Sequence, residues 1–309
     1  TGVVGVLEGA TDGPTVLVRA DMDALPITEE NTADYVSQNP GVMHACGHDA
    51  HTTIALAVAE LLCERRDAIA GRVKFVFQPA EEIGRGAQAM IQDGVLNDPA
   101  PDVSVGLHLA NASPLGTLTL TEGPFMAGAG DFTIRVTGRG GHGAAPHEAR
   151  DPIVAASAIV MALQTIVSRN LSPTESAAIS VTSFQAGTAF NIIPPKAELR
   201  GTIRMFTPEV RDILITRMRE IAQSVASAHG CAAELEVQEL TLPVVNDSAT
   251  MQRLRALFRR IRPDLPQITD YKTMLAEDMS YFLDAVPGAY FFVGSANAER
   301  DLAYPHHHP

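Results

Sequence analysis

Short, nearly continuous apolar runs punctuate the first third of the chain at residues 1–7, 15–20, 72–78 and 102–109. They read as strands. Between the second and third runs, apolar residues recur at i, i+3 and i+4 through Ala55, Leu56, Ala59, Leu62 and Cys63. The spacing predicts a helix that starts from Asp49 as its N-cap, with Thr52 three residues on. A shorter helix, residues 86–94, ends in Gly94 before the next strand. Strand and helix alternate as βαβαβ, the pattern of a parallel sheet.

The pattern changes near residues 123–130. Strands are expected at 132–137, 177–184, 196–205 and 234–239, with helices at 152–169 and 208–229. That order, β-α-β-β-α-β, is ferredoxin-like and closes its own sheet. The chain then resumes with a helix at 248–262, an apolar stretch at 270–283 and a strand at 289–294. The expected fold class is α/β. A discontinuous domain (1–126 and 241–309) is built on a mostly parallel sheet and carries an inserted α+β domain (127–240). Internal repeats are not seen.

Composition narrows the function classes. The 309 residues are 46% hydrophobic and 19% charged, which suits a globular chain of two domains. Net charge is −13, so no basic footprint for nucleic acid is available. Cys46, Cys63 and Cys231 are too few and too odd in number for a disulfide framework. Cys63 and Cys231 read as buried thiols in a reducing cytoplasm. The uncharged run 153–168 is too short for a membrane span.

The chemistry concentrates where the parallel strands end. Asp21 and Asp23 follow the second run. His44, Cys46, His48, Asp49 and His51 lie within eight residues, with His44, Cys46 and His48 alternating so that an extended chain would aim them to one side. This donor density suits a zinc- or manganese-class cation. Glu81 and Glu82 follow the third run, and His108 lies in the fourth. Adjacent carboxylates can divide the labour of metal-assisted hydrolysis, one as ligand and one as base. Cys46 as a nucleophile paired with His48 or His44 is a competing reading, which chelation against thiol alkylation separates. Gly138, Gly140 and Gly141 match neither phosphate-loop spacing nor the dinucleotide fingerprint.

Taken in order, several segments together resemble the M20 metallopeptidases, specifically the amidohydrolase branch of hippurate hydrolases, N-acyl-amino-acid deacylases and auxin-conjugate hydrolases. They are Arg-Ala-Asp-Met-Asp-Ala-Leu-Pro from Arg19, His-Ala-Cys-Gly-His-Asp from His44, Gln-Pro-Ala-Glu-Glu from Gln78, Gly-Gly-His-Gly from Gly140, Asn-Ile-Ile-Pro from Asn191, Gly-Thr-Ile-Arg from Gly201, and Glu277-Asp278. The resemblance implies a two-metal catalytic domain with an inserted lid that pairs subunits into a homodimer or higher homo-oligomer. It implies metal ligands Cys46, His48, Glu82, His108 and a C-terminal histidine. The His-x-Pro pattern gives His307, with His306 as the alternative. Glu81 would be the general base, Asp23 would orient a ligand, His142 would help hold the oxyanion, and Arg204, with Asn191, would bind a substrate carboxylate. The implied cofactors are two divalent ions (zinc, manganese, cobalt or nickel). The implied substrate is a small N-acyl amino acid, and the implied reaction is hydrolysis of its amide by a metal-activated water. A catalytically silent binding protein, or a dipeptidase or carboxypeptidase of the same family, are the alternatives. Family members usually carry further segments at both ends, so a trimmed chain is expected. No role is expected for His44 or His147; His51, on the first turn of the helix, is expected at the surface or in packing, with orienting a metal ligand as the alternative.

Overall fold

A computed structural model describes residues 2–309; Thr1, where the first strand was expected to begin, lies outside the described residues. Two compact units are present. One comprises residues up to Met126 together with Val244–Pro309, and the other is Ala127–Pro243.

The first unit opens with β1 (Val3–Glu8), β2 (Thr11–Asp21), α1 (His48–Cys63), β3 (Ala70–Gln78), α2 (Gly86–Gln92), β4 (Val103–Pro114), β5 (Leu118–Thr119) and β6 (Gly123–Met126). In the second unit are β7 (Gly128–Thr137), β8 (Gly141–His142), α3 (Pro152–Asn170), β9 (Ala177–Ala186), β10 (Ile192–Ile193), β11 (Lys196–Met205), α4 (Pro208–Ala228) and β12 (Ala232–Thr241). The chain returns to the first unit with β13 (Val244–Asn246), α5 (Ser248–Ile261), β14 (Gln267–Ile268), α6 (Met279–Ala285) and β15 (Gly288–Ala296).

The large sheet of the first unit has the order β1-β3-β2-β4-β15-β5-β14. Strands β3, β2, β4 and β15 are mutually parallel, and β1 is antiparallel to β3. Along β15, Tyr290 and Phe292 join one apolar cluster, with Leu17, Phe125 and Phe282. Ala289 and Phe291 join another, with Leu120 and Met251. Period-two alternation thus buries both faces of this central strand, whereas the edge strand β1 leaves Val3, Val4 and Val6 exposed.

One feature of this topology positions the site. From β2 the chain passes through α1 to β3 on one side, then through α2 to β4 on the other side of β2. The order reverses there, so the carboxyl ends of β2 and β4 flank a topological switch point, where open α/β sheets form crevices.

The second unit is a four-stranded antiparallel sheet, β12-β7-β11-β9, with α3 and α4 on one face. Ile134, Leu199 and Ile203 pack against Ile159 and Leu163 of α3 and Leu214 and Met218 of α4. Both helices start with a side-chain cap followed by Pro at N1: Asp151 accepts from the Ile153 N–H and Thr207 from the Val210 N–H. Helix α3 is long and apolar enough to cross a membrane, yet it buries Ala155, Ile159, Leu163 and Ile166 in this core.

Three sequence expectations are corrected. The cap of α1 is Gly47 at φ 89°, not Asp49, which sits in the exposed first turn where the helix dipole favours a carboxylate. The buried face of α1 is His48, His51 and Ala55, while Leu56 and Cys63 are exposed. The polar groups at the strand ends claim the inner face that an apolar pattern would have taken. The approach to α1 is a turn rather than an extended run, so His44 faces solvent, apart from Cys46 and His48. Cys231 is buried, as expected.

Candidate metal centre

Asp21 is the last residue of β2, and Asp23 lies just beyond it. The Asp23 carboxylate accepts the backbone N–H of Glu81 and of Glu82, each at 3.1 Å. Its carbonyl oxygen accepts from Nδ1 of His48 at 3.0 Å. One aspartate therefore fixes the turn that bears both glutamates and the tautomer of a histidine. The turn is sharp: Ala80 stands at φ 60°, a left-handed conformation costly for a residue with a Cβ. Gly47, also left-handed, reverses the chain so that Cys46 and His48 approach the same space.

His108 comes from β4. Its Nδ1–H donates to the Leu109 carbonyl at 2.6 Å, which turns Nε2 toward the Cys46 sulfur, 3.5 Å away. His307 arrives from the far end of the chain. Its N–H donates to the Ala45 carbonyl at 2.8 Å, and its Nε2 lies 3.4 Å from Glu82 Oε1. His306 instead packs its ring edge-on against His108, with centroids 5.1 Å apart.

The donor atoms fall into overlapping groups, each within 4.8 Å: Cys46, His48 and His108; Cys46, Glu82 and His307; and His48, Glu81 and Glu82. Two buried atoms there, Nε2 of His48 and Oε1 of Glu82, have no hydrogen-bond partner. Orphaned buried polar atoms are costly, and two lone pairs aimed into one space are what a cation would satisfy. The sulfur, imidazole and carboxylate donors suit a borderline divalent metal. The residues present therefore fit a metal centre.

Charge points the same way. Burial, then Glu82 and Glu81, push the Cys46 thiol up, the reverse of what a cysteine nucleophile needs. Burial and the neighbouring Glu277 raise Glu81 well above the usual carboxylate range. Burial and His51 push His108 down to about 3, which keeps it neutral and able to ligate. For His48, burial lowers the pKa, but the hydrogen bond to Asp23 and the charge of Asp21 outweigh it and leave it raised.

Beneath the donors lies a charged layer that the sequence reading did not assign. Arg19, wholly buried in β2, is held by Gln78 (2.8 Å), Asp21 (2.6 Å), Asp278 (2.8 Å) and Glu277 (2.9 Å). Asp278 also accepts from the Gln78 amide and the Ala87 N–H, and Glu277 accepts from the Tyr290 hydroxyl at 2.6 Å. The available signal was an arginine inside an apolar strand, which must be paired if buried. Above the donors opens a cavity of about 270 Å³. Cys46, Glu81, Glu82, His108 and His307 line one part, and Leu109, Met126, Tyr271, Leu275 and Phe292 another.

A pH effect follows from Glu81. Its raised pKa means that the folded, metal-free chain keeps a proton that the unfolded chain releases above about pH 4.3. Stability from this group is full below that pH and is lost as pH rises toward its folded pKa, with a slope of at most about 1.4 kcal/mol per unit. Relative to Glu81→Gln, the parent's metal-free melting temperature should fall between about pH 5 and pH 8; the comparison cancels the opposing contribution of His108, whose lowered pKa adds stability as pH rises. Thermal melts of both proteins in chelator check this; parallel pH dependences would contradict it.

The remaining expected site residues lie in the second unit. His142 pairs with Ile192 in the short β8–β10 ladder, and the Gly143 N–H donates to the Asn191 carbonyl at 2.8 Å. His142 Nδ1 accepts the Ala144 N–H at 3.0 Å, so its proton sits on Nε2. Arg204, on β11, is half-buried and donates to Thr202 and to the Ile203 carbonyl; burial lowers its pKa. His147 and His44 are exposed.

Residues 17–309 match the peptidase family M20/M25/M40. The chain is 38% identical over 315 residues to an N-acetylcysteine deacetylase of Bacillus subtilis, covering 100% of this chain and 79% of that protein. It is 40% identical to thermostable carboxypeptidase 2 of Saccharolobus solfataricus, covering 99% and 78%. A solved Bacillus subtilis structure, described as a dinuclear metal binding peptidase from the M20 family, superposes with a TM-score of 0.85 at 34% identity. That match covers 100% of this chain and 78% of the other.

Proposed function

Because the chain belongs to peptidase family M20/M25/M40, we propose that it is a metal-dependent hydrolase of the amide bond in small N-acyl amino acids. The observation that carries this reading is the pair of orphaned lone pairs on His48 and Glu82, with a Glu81 carboxylate oxygen 4.0 Å from the same His48 nitrogen. Ligands and base thus meet around one space.

Cys46, His48, Glu82, His108 and His307 would hold two divalent ions of the zinc, manganese, cobalt or nickel class. When bound, they would polarise the acyl carbonyl and acidify the attacking water. Glu81 takes that water's proton and returns it to the leaving amine. Asp23 holds the turn carrying Glu81 and, through its carbonyl, the tautomer of His48. His142, protonated at Nε2, donates to the developing oxyanion. Arg204, whose guanidinium donates to Thr202 and to the Ile203 carbonyl, grips the substrate carboxylate, with Asn191 assisting. The second unit acts as lid and pairing surface of a cytoplasmic homodimer or higher homo-oligomer.

Metal analysis coupled to turnover on acetyl, benzoyl and indole-acetyl amino acids tests the reading. A metal-loaded chain with no turnover on that panel would favour a silent binder. Cleavage of unblocked peptides in preference to the panel would favour a peptidase, the activity named for the Saccharolobus relative. Arg204→Ala should raise KM by about 10- to 100-fold for carboxylate-bearing substrates, the worth of a charge-assisted pair of about 1.5–3 kcal/mol. Simple amides should change by less than about threefold; equal losses on both classes would remove the anchoring role.

A further inference from the structure

We propose that His51 is the positioning residue of the metal centre, an imidazole wedge that aims His48 and His108 without itself ligating. The β2–β4 ladder stops at the pair Arg19↔Gly106. Beyond it, the Leu109 N–H does not find a β2 carbonyl and donates to Nε2 of His51 at 2.9 Å. On the other side of the ring, Nδ1 lies 2.6 Å from the Asp21 carboxylate at the end of β2. A side chain from α1 thus takes over where strand pairing ends and bridges the two strands across the switch point.

The two bonds fix the tautomer. Nε2 accepts a backbone N–H, so the proton is on Nδ1 and is donated to Asp21. Both nitrogens are occupied, and the ring is 2% exposed. His51 could ligate only by giving up one of these bonds, although its atoms lie within 4.8 Å of those of Asp21 and His48.

The wedge acts on the ligands in two ways. Its ring packs against both of theirs, with centroids 5.5 Å from His48 and 4.5 Å from His108, which are themselves 5.9 Å apart, so the three imidazoles brace one another. It also pins the peptide unit that joins His108 to Leu109. The Leu109 carbonyl in turn accepts His108 Nδ1–H, which directs His108 Nε2 to Cys46. Asp21 is itself immobilised by Arg19, and its carbonyl accepts the Thr52 hydroxyl at 3.0 Å. A rigid chain therefore runs from the buried arginine through Asp21 and His51 to the His108 backbone. Groups that hold ligands in this way typically carry 10- to 100-fold in metal affinity or activity.

The inference rests on the proposed hydrolase reading for its kinetic arm only, because Co2+ titration, followed by visible absorption, tests it without substrate. His51→Phe keeps a ring and removes both hydrogen bonds. It should weaken Co2+ binding by at least about tenfold at unchanged stoichiometry. It should also lower kcat by about 10- to 100-fold with KM within about threefold. His51→Gln, which can still accept the Leu109 N–H, should recover most of the affinity. Parent-like affinity in His51→Phe overturns the proposal. So does the loss of one bound ion in both variants, which would make His51 a ligand. If His51→Phe fails to fold by circular dichroism, Asp21→Asn decides: affinity reduced by about threefold or more supports the wedge, and parent-like affinity overturns it. Weakened Co2+ binding in a parent that hydrolyses no acyl amino acid would sink the hydrolase reading and leave the wedge standing.

Discussion

Replacing Glu81 by Gln is expected to lower kcat by about 10²- to 10⁴-fold while the metal content stays at the parent level. The loss corresponds to about 3–5 kcal/mol of transition-state stabilisation. Gln has the same shape, and the bond that places this residue, its own N–H to Asp23, belongs to the backbone. What disappears is the capacity to take and return a proton. Glu82, held through its N–H by the other oxygen of the same aspartate, keeps its aim toward His307. Activity within tenfold of the parent would remove Glu81 as base. A fall in metal content would instead make it a ligand, in line with its closeness to His48 and Glu82.

Arg19→Met should be the most destabilising substitution of the charged layer. Asp21, Glu277 and Asp278 all lie within 3 Å of the guanidinium, and each is buried. Removing one partner from a buried ion pair costs about 3–5 kcal/mol, because the charge left behind loses its compensation. The side-chain volume is nearly kept, so a cavity contributes little. All five tyrosines (Tyr35, Tyr271, Tyr281, Tyr290 and Tyr304) lie in the first unit and the chain has no tryptophan, so tyrosine fluorescence during urea denaturation follows that unit alone. A loss below about 1 kcal/mol would show that the three carboxylates do not depend on Arg19. Arg19→Lys should retain only part of the stability, since an ammonium cannot reproduce the planar fork.

The strands and long helices were legible because their periods are local. The predicted helix at 208–229 is observed as Pro208–Ala228, and the strand at 196–205 is observed as Lys196–Met205. The positions of Asp21 and Glu81 at the carboxyl ends of β2 and β3 followed from strand polarity, whereas β4 runs on to Pro114 and holds His108, expected at the strand's end, in mid-strand. What sequence patterns could not show was α1's rotation. Leu56 and Cys63 fit the apolar period, yet the helix turns His48 and His51 inward because hydrogen bonds to Asp23, Asp21 and Leu109 outweigh the burial of two side chains. Which of its two expected roles His51 takes, packing or orienting a ligand, was undecided for the same reason. A residue with partners 30 and 58 positions away has no local signature. The Arg19 layer joins β2 to residues some 260 positions later and was equally out of reach of pattern.

The pairing of β6 with β13 sets Val244 opposite Met126, so the chain leaves and re-enters the first unit through neighbouring residues. Residues 127–243 therefore form a closed loop whose ends are held together by the two-stranded β6–β13 ladder of the first unit. While that stretch is folded, the closure is short and cheap. Should it unfold, the first unit must hold together the ends of a flexible loop more than a hundred residues long, an entropic load of about 4 kcal/mol. Melting of the inserted unit would thus loosen the distant candidate ligand His307 through chain statistics alone, a coupling that requires no surface shared between the two units.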